Sequence, residues 1–478
     1  MIIDGISATE VPQSATVPAR AVAAFLGVIE RKLGVTILRD MRNHSHDQAL
    51  TEPLRLARTL TERGILKEVG RNSSRFVDEP RMKSWYAICN DTSGHAVGGT
   101  TWDSEADALY AALAEGLERY IWLSQVDYYR DPIRTTADGI AKKGAHIRPE
   151  AFVGFSDAQR TGRPERTLRK DAEYLWIAGT SLITGSPTYI PAQIASRAKE
   201  EKASAREPYI RQTTTNGLAT WPTRSGARLA GMLELIERES YMMMWLNQLT
   251  LPRLSLTRLC ADDPSLARGV AICERYRLKT HVIQLITDAP THVVAVVIED
   301  MSAMAPRFSV GLRAHRSLSA AIKKAMTEAL RARRFVRMWN EEGNTWDTNT
   351  PQETVGHRER VYYWSVPEHA RHLEFLVAGE IIDAAPTPWD TDDEEAHLQR
   401  MLTWCRDTGL ECISLSLGAS AKNPTPWYIE MIVMPEIQPT YLTEPLRAFG
   451  GTRWHDIPKA RGYTVREAPY AERPHPFA

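Results

Sequence analysis

A short acidic helix pattern occurs twice in the chain, and no other feature restricts the fold as much. The first copy, ALAEGLERY, carries Glu115, Glu118 and Arg119; the second, GMLELIERE, carries Glu234, Glu237 and Arg238. In each copy two carboxylates stand three residues apart with an arginine directly after the second, so a helix sets both acids on one face. At ~3.6 residues per turn, Glu115 and Glu118 share a side with Ala108 and Ala111, whereas Leu109, Leu113 and Leu117 lie on another. Glu234 and Glu237 likewise share a side with Ala227 and Ala230. Small residues beside paired acids leave room for an approaching group. A divalent cation carrying a phosphate chain suits the place, because Mg2+ takes oxygen ligands and joins carboxylates to an anion they would otherwise repel. Two amphipathic helices with solvated acidic edges are the plainer reading of the spacing alone.

Composition narrows the class. Lysine plus arginine equals aspartate plus glutamate at 59 each, so net charge points neither to nucleic acid nor to a membrane surface. The five cysteines, Cys89, Cys260, Cys273, Cys405 and Cys412, form no CxxC pair and are odd in number, as in a reduced cytoplasmic protein without a structural zinc site. No apolar run reaches the length of a membrane span, and MIIDGISATEVP lacks the basic start and apolar stretch of a signal peptide. A length of 478 residues gives a prior of about two to four domains.

Along the chain, residues 18–33 and 48–64 have helical spacing. Between them RNHSHDQ gathers His44, His46 and Asp47, which read as a loop or helix start rather than a metal site. SWYAICN at 84–90 reads as a strand, Gly98 and Gly99 as a turn, and Thr101, Asp103 or Ser104 as the cap of the first acid helix. Residues 172–191 read as two strands around GSP, and 195–206 as a charged helix. Beyond the second acid helix come helices near 263–277, 317–337 and 392–408 and strands near 279–287, 292–299, 411–417 and 427–434. This order predicts an α/β fold of mixed, layered helices and sheets. The stretch 340–360 is the most loop-like. Neither GxxxxGK[ST] nor a strand-linked GxGxxG occurs, so a bound nucleotide has to be held by acids through metal and by scattered cations. The basic candidates are Arg119, Arg238 and, on the helix SLSAAIKKAMTEALRARRF, Lys324, Arg331 and Arg333 beside Glu328; a solvated basic face is the alternative for that helix.

Five segments in one order resemble the YcaO family of ATP-dependent enzymes that modify peptide backbones. They are GGTTWDSEADALYAALAEGLERY, WIAGTSLITGSPTYIPAQ, TNGLATWPTRSGARLAGMLELIERE, VGLRAHRSLSAAIKKAMTEALRARR and IVMPEIQPTYLTEPLRAFGGTRWHDIP. The resemblance implies a YcaO-type fold, with residues 1–83 as a helical extension and the start of the core and 84–478 as the ATP-binding catalytic domain. It implies ATP and Mg2+ as cofactors, with Glu115, Glu118, Glu234 and Glu237 as metal ligands and Arg119, Arg238 and Arg333 at the nucleotide. Further nucleotide contacts are expected near His46, Asp47 or Thr51.

The ending AERPHPFA resembles the proline-rich tail of the azoline-forming branch, which implies that the C-terminal carboxylate of Ala478 reaches the active site as a general base beside Arg119 and Arg238. Alternating prolines hold such a tail extended at low entropic cost; a frayed terminus is the ordinary alternative. By this resemblance the chain converts Cys, Ser or Thr of a ribosomally made, bacteriocin-like precursor to thiazolines or oxazolines. It does so as a homodimer with a separate ThiF-like, leader-recognising partner protein, and with a flavin dehydrogenase if rings are oxidised. One departure bears on this: the family commonly has asparagine and glutamate where Pro222 and Gly226 stand, and a small residue in place of Trp221. The alternatives are therefore a YcaO-fold scaffold subunit without catalysis, a thioamide-forming member, or an accessory factor in ribosomal-protein modification.

Overall fold

The computed structural model describes residues 48–72, 76–90, 96–124, 132–196, 207–302, 304–341, 356–417 and 423–477. The expected helix at 18–33, the cluster of His44, His46 and Asp47, and Ala478 lie outside these residues, as does most of the helix expected at 195–206.

Helix α1 (Gln48–Glu62) leads into an antiparallel sheet of β1 (Leu66–Arg71), β2 (Lys83–Cys89) and β3 (Ala96–Thr101), followed by helix α2 (Glu105–Ser124). Because β1 pairs with β2, the chain on both sides of residue 83 builds one sheet. Ser104 caps α2, its Oγ accepting from Asp107 N at 3.2 Å. Gly98 and Gly99 correct the sequence reading: they lie inside β3, opposite Tyr86 and Trp85, and not in a turn. The reason is contact between layers. A Cβ on Gly99 would stand 2.0 Å from Ala108 O and 2.7 Å from the Ala111 Cβ. The alanines beside the first acid pair thus admit a strand, whose approach fixes the height of α2 over its sheet.

The second sheet begins with β4 (Ile133–Thr136), β5 (Ala145–His146), β6 (Glu173–Ser181), β7 (Pro187–Pro191) and β8 (Leu218–Trp221). Helix α3 (Arg224–Asn247) follows, started by Thr223, whose Oγ1 accepts from Gly226 N at 3.0 Å. Most of its residues are buried, as suits a helix that is apolar around most of its circumference and runs through the middle of the molecule. A third sheet holds β9 (Arg253–Leu254), β10 (Leu278–Gln284), β11 (His292–Asp300), β12 (Phe308–His315) and β13 (Ile381–Ile382), in the order β12-β11-β10-β9-β13. Helices α4 (Pro264–Arg275) and α5 (Leu318–Glu341) cover one of its faces through Leu266, Ile322 and Met326. Here the tight approach recurs, since a Cβ on Gly311 of β12 would lie 2.1 Å from Ala325 O of α5.

Helix α6 (His357–Ser365) begins inside the stretch read as loop. After α7 (Glu394–Thr408), strands β14 (Ile413–Ser416) and β15 (Tyr428–Val433) return to the second sheet, whose order becomes β5-β7-β6-β14-β15-β8 with β4 on β6. Helix α8 (Arg453–Ala460) and the C-terminal segment then pack on α3 through Trp454, Tyr470 and Phe477. The mixed, layered helices and sheets expected from the sequence are present.

Replacing Gly99 with alanine should lower the thermal midpoint, because the new methyl group meets backbone rather than a movable side chain; overpacking of this kind costs ~1–3 kcal/mol. Thermal melting of G99A beside the wild type measures it, and an unshifted midpoint would mean that β3 and α2 are not seated on each other.

Candidate functional site

Three glutamates are fixed by backbone amides. Glu234 Oε2 accepts from Gly217 N at 3.1 Å, Glu237 Oε2 from Ala314 N at 2.9 Å, and Glu328 Oε2 from Leu312 N at 2.8 Å. β12 is an edge strand, so its alternate N–H groups at 312 and 314 find no strand partner on the outer side; carboxylates from α5 and α3 take them instead. Arg238 lies between these acids, with Nη2 3.5 Å from Glu234 Oε1 and 3.6 Å from Glu237 Oε1.

The first pair meets the second. Burial pushes the Glu118 carboxyl up to about 8; Arg119 opposes this, while the like charges of Glu115 and Glu234 add to it. Arg119, 3.7 Å from Glu115, also acts on Glu234. Burial likewise raises Glu234, with Glu237 adding and Arg238 opposing, and raises Glu328, where Arg238 opposes and Glu237 adds. Burial lowers Arg238, but Glu237, Glu234 and Glu328 together carry it above its ordinary value. Five carboxylates from α2, α3 and α5 therefore crowd around Arg119 and Arg238. Glu328 was noted in the sequence only as a neighbour of basic residues. Its signal was the one already used for the other acids: buried Ala321 and Ala325 lie seven and three residues before it on the same helix face.

A cationic group adjoins the acids. Burial lowers Lys324 to about 8, helped by Arg313 and Arg316 and opposed by Glu237. Burial, Lys324, Arg313 and Arg316 hold His315 neutral, lowering it to about 3. Arg331 donates to Gly98 O at 3.1 Å, tying α5 to β3. Arg333 sits differently from its expected place at the nucleotide. Its terminal nitrogens hold Glu79 and Asp300, and Arg337 joins the same network through Glu79 at 2.7 Å and Asp78 at 3.0 Å. Sequence reading missed Glu79 and Asp300, because pairs between separate elements, 254 and 33 residues from Arg333, leave no local pattern. Thr51 is exposed on α1.

The C-terminal segment is docked. Trp364 Nε1 donates to Pro474 O at 3.1 Å, His475 Nε2 to Tyr441 O at 2.9 Å, and the Phe477 ring lies 4.2 Å from the Arg238 guanidinium carbon. Ala478, proposed from the sequence as the base, is outside the described residues. The departures at 221 and 226 explain each other: a Cβ on Gly226 would fall 1.9 Å from Trp221 Cδ1, so the indole occupies the space where a side chain at 226 would begin. Trp221 Nε1 donates to Glu394 Oε2 at 2.6 Å, and Thr223 also donates to Glu394.

Buried acids thus face buried cations, and the sequence holds no glycine-rich phosphate loop. Residues 98–435 match the family model described as "YcaO cyclodehydratase, ATP-ad Mg2+-binding", and the chain belongs to the YcaO family. Its cofactors are ATP and Mg2+.

Three solved structures share the fold. One is a heterocyclase in complex with substrate and cofactor, at TM-score 0.67 and 18% identity over 88% of this chain; the chain spans 57% of that protein's length. Another is YcaO from Methanopyrus kandleri bound with AMPPCP and Mg2+, at TM-score 0.57 and 16% identity over 88% of this chain and 96% of that one. The third is the E. coli microcin synthetase McbBCD complex, at TM-score 0.51 and 12% identity over 77% of this chain and 88% of that one. No curated protein sequence matches the chain significantly.

The residues present fit the cofactors. Among the described residues no three His, Cys, Asp or Glu side chains gather tightly enough to hold an ion by themselves. Acids interleaved with arginines suit an ion that keeps waters and shares oxygens with a phosphate chain, as Mg2+ does. Arg238 Nε and Nη1, buried and unpartnered among the described residues, are donors left over for an anion.

Glu118 sets a pH dependence. Its folded value of about 8 lies above the ordinary 4.5, so the folded state binds the proton more tightly, and stability falls as pH rises between those values. The Mg2+-free thermal midpoint should therefore drop between pH 5 and 8, less steeply in E118Q, and added Mg2+ should raise it more at the alkaline end, about as far as binding replaces the missing counter-charge. Melting in EDTA and in Mg2+ checks this; a wild-type midpoint indifferent to both pH and Mg2+ would contradict the assignment.

Proposed function

We propose that this chain is an ATP-dependent cyclodehydratase that converts Cys, Ser or Thr residues of a ribosomally made precursor peptide to thiazolines or oxazolines. The observation that carries the reading is the meeting of two separate acid pairs: the charge of Glu234 on α3 acts on Glu118 of α2, and Arg119 acts on both. ATP bound with Mg2+ supplies the phosphoryl group that turns the amide oxygen of the cyclised adduct into a leaving group. Glu115, Glu118, Glu234 and Glu237 hold the metal, and Glu328 joins them. Arg119 and Arg238 balance the phosphate charge, with Lys324, Arg313 and Arg316 as further cations; phosphoryl transfer asks for little beyond such positioning and neutralisation. Arg333 reaches the nucleotide only if its pairs with Glu79 and Asp300 rearrange, and on present geometry it braces α5. The Ala478 carboxylate takes the proton from the attacking side chain; the stacking of Phe477 on Arg238 supports this role.

The partners follow from the same reading. They are the precursor peptide, a separate ThiF-like protein that recognises its leader, a second copy of the chain, and a flavin dehydrogenase where rings are oxidised. The resemblance to a heterocyclase solved with substrate and to the multi-protein McbBCD synthetase supports the first two. A cytoplasmic setting agrees with five free cysteines and with the absence, among the described residues, of a helix long and apolar enough to cross a membrane. A second reading, a scaffold subunit without catalysis, is favoured by one observation: the Trp221 indole fills the space at Gly226 where the family's further carboxylate would stand.

The test is peptide-dependent phosphate release with the partner and a candidate precursor present, followed by mass spectrometry for loss of one water per ring. E237Q should reduce the rate by about a hundredfold or more, since the carboxylate is both a metal ligand and a partner of Arg238. Wild-type protein that releases no phosphate and forms no ring under these conditions would favour the scaffold reading.

A further inference from the structure

A small cavity, partly open to solvent, lies beside the acid cluster, and two arginines line it. Arg238 comes from the second acid helix, Arg211 from the segment before β8, and Gln212, Thr214, Asn216 and Gln438 complete the polar part of the wall. Arg238 is the member common to the cavity and the acids, so whatever fills the cavity lies next to Glu234 and Glu237. Arg211 is of another kind. Its Nη1 donates to Val153 O at 3.3 Å, and its guanidinium lies 6.0 Å from the Phe152 ring centre, but burial alone lowers it, to about 10, and among the described residues no carboxylate offsets its charge. A half-buried cation without a counter-ion is costly to keep, and positions of that kind cluster at binding sites.

The remaining groups of the wall describe an occupant. Arg238 Nε and Nη1 are unpartnered buried donors, and Gln438 Oε1 is an unpartnered buried acceptor among the described residues. Gln438 Nε2 is fixed by Pro439 O at 3.3 Å and Ala448 O at 2.7 Å, so the orientation of its amide is set. The rest of the lining is apolar: Leu235, Met431, Ile432, Met434 and Ile437. A triphosphate has no use for such a surface, and Lys324, Arg313 and Arg316 already stand elsewhere, beside Glu237. A peptide unit with an adjoining side chain matches it, offering an oxygen to arginines and apolar groups to methionine and isoleucine.

We infer that this cavity holds the backbone amide that is to be cyclised, with Arg211 and Arg238 donating to its oxygen. The inference rests on the proposed function and deepens it. When the Cys, Ser or Thr side chain bonds to the carbonyl carbon and loses its proton to the general base, the C=O pair moves onto oxygen as an oxyanion. Arg211, free of acids, stabilises that charge until the oxygen takes the phosphoryl group from ATP, which leaves as ADP. The C–O bond then breaks, phosphate departs, and loss of the amide proton gives the ring C=N.

The probe is a blocked dipeptide, N-acetyl-alanyl-cysteine methylamide, titrated calorimetrically into the full chain with Mg2+ and a non-hydrolysable ATP analogue. Wild type should bind it; R211A should weaken binding tenfold or more, with partial recovery in R211K. Affinity for a fluorescent ADP, measured on the same samples, reports whether each variant has folded. Equal dipeptide affinity in R211A, or no dipeptide binding by wild type, would overturn the cavity's assignment. So would a loss in R211A confined to nucleotide affinity, since Arg211 would then be a phosphate residue. Failure of the wild type to bind nucleotide with Mg2+ would instead sink the proposed function on which the inference stands.

Discussion

Negative charge kept out of water is the condition around which this molecule is arranged. Burial raises Glu118, Glu234 and Glu328, and removing an ionised carboxylate from water costs several kcal/mol unless partners replace the lost hydration. The fold supplies some partners: N–H groups from the outer edge of β12, another from Gly217, and the arginines that follow each acid pair. These satisfy individual oxygens, yet burial still raises the three carboxyls. A bound cation would favour their charged forms, which agrees with membership of a Mg2+- and ATP-binding family.

The central helix α3 makes this possible by what it packs against. Its Tyr241 and Trp245 belong to the largest apolar cluster, which also takes in Trp364, Trp404 and Phe477. Glu239, buried on the same helix, is paired by Arg453 of α8 at 2.8 Å and by the Gln438 amide at 3.0 Å. That acid is satisfied on all sides by protein, whereas Glu234 and Glu237, five and two residues earlier, share a single Arg238. Glu239 thus has the surroundings of a structural carboxylate, whereas the proposed metal ligands Glu234 and Glu237 keep fewer protein partners.

Much of the layer order was legible because periodicity reports which face of an element is apolar. The helix ending near 337, the strands near 280 and 295 and the late pair at 413 and 430 follow from it directly. Periodicity does not say what fills the space a small residue leaves. Ala108 and Ala111 were read as room for a ligand, yet β3 lies there, brought close by Gly99. For the same reason the partners of Arg333 were invisible: Glu79 and Asp300 come from other elements, and no spacing connects them to α5. The family resemblance carried Arg333 to the nucleotide by position, while its surroundings in the fold make it a brace. Residues 474–477, which composition alone assigns to disorder, are held by aromatic and histidine contacts spread over residues 241, 364 and 441.

Arg238 shows why one residue type was needed at the junction of these parts. Its guanidinium faces Glu234 and Glu237 through Nη2, lies against the Phe477 ring, and leaves Nε and Nη1 without partners among the described residues. A lysine has one compact, strongly hydrated charge and cannot present a flat face to an aromatic ring while its edges address acids and a cavity at once. Because the three contacts share one rigid plane, a shift of the tail moves the donors that face the cavity and the charge that balances the acids together. If the proposed metal site and amide pocket hold, tail position bears on both through this one side chain, because the Phe477 ring stacks on the guanidinium that faces them.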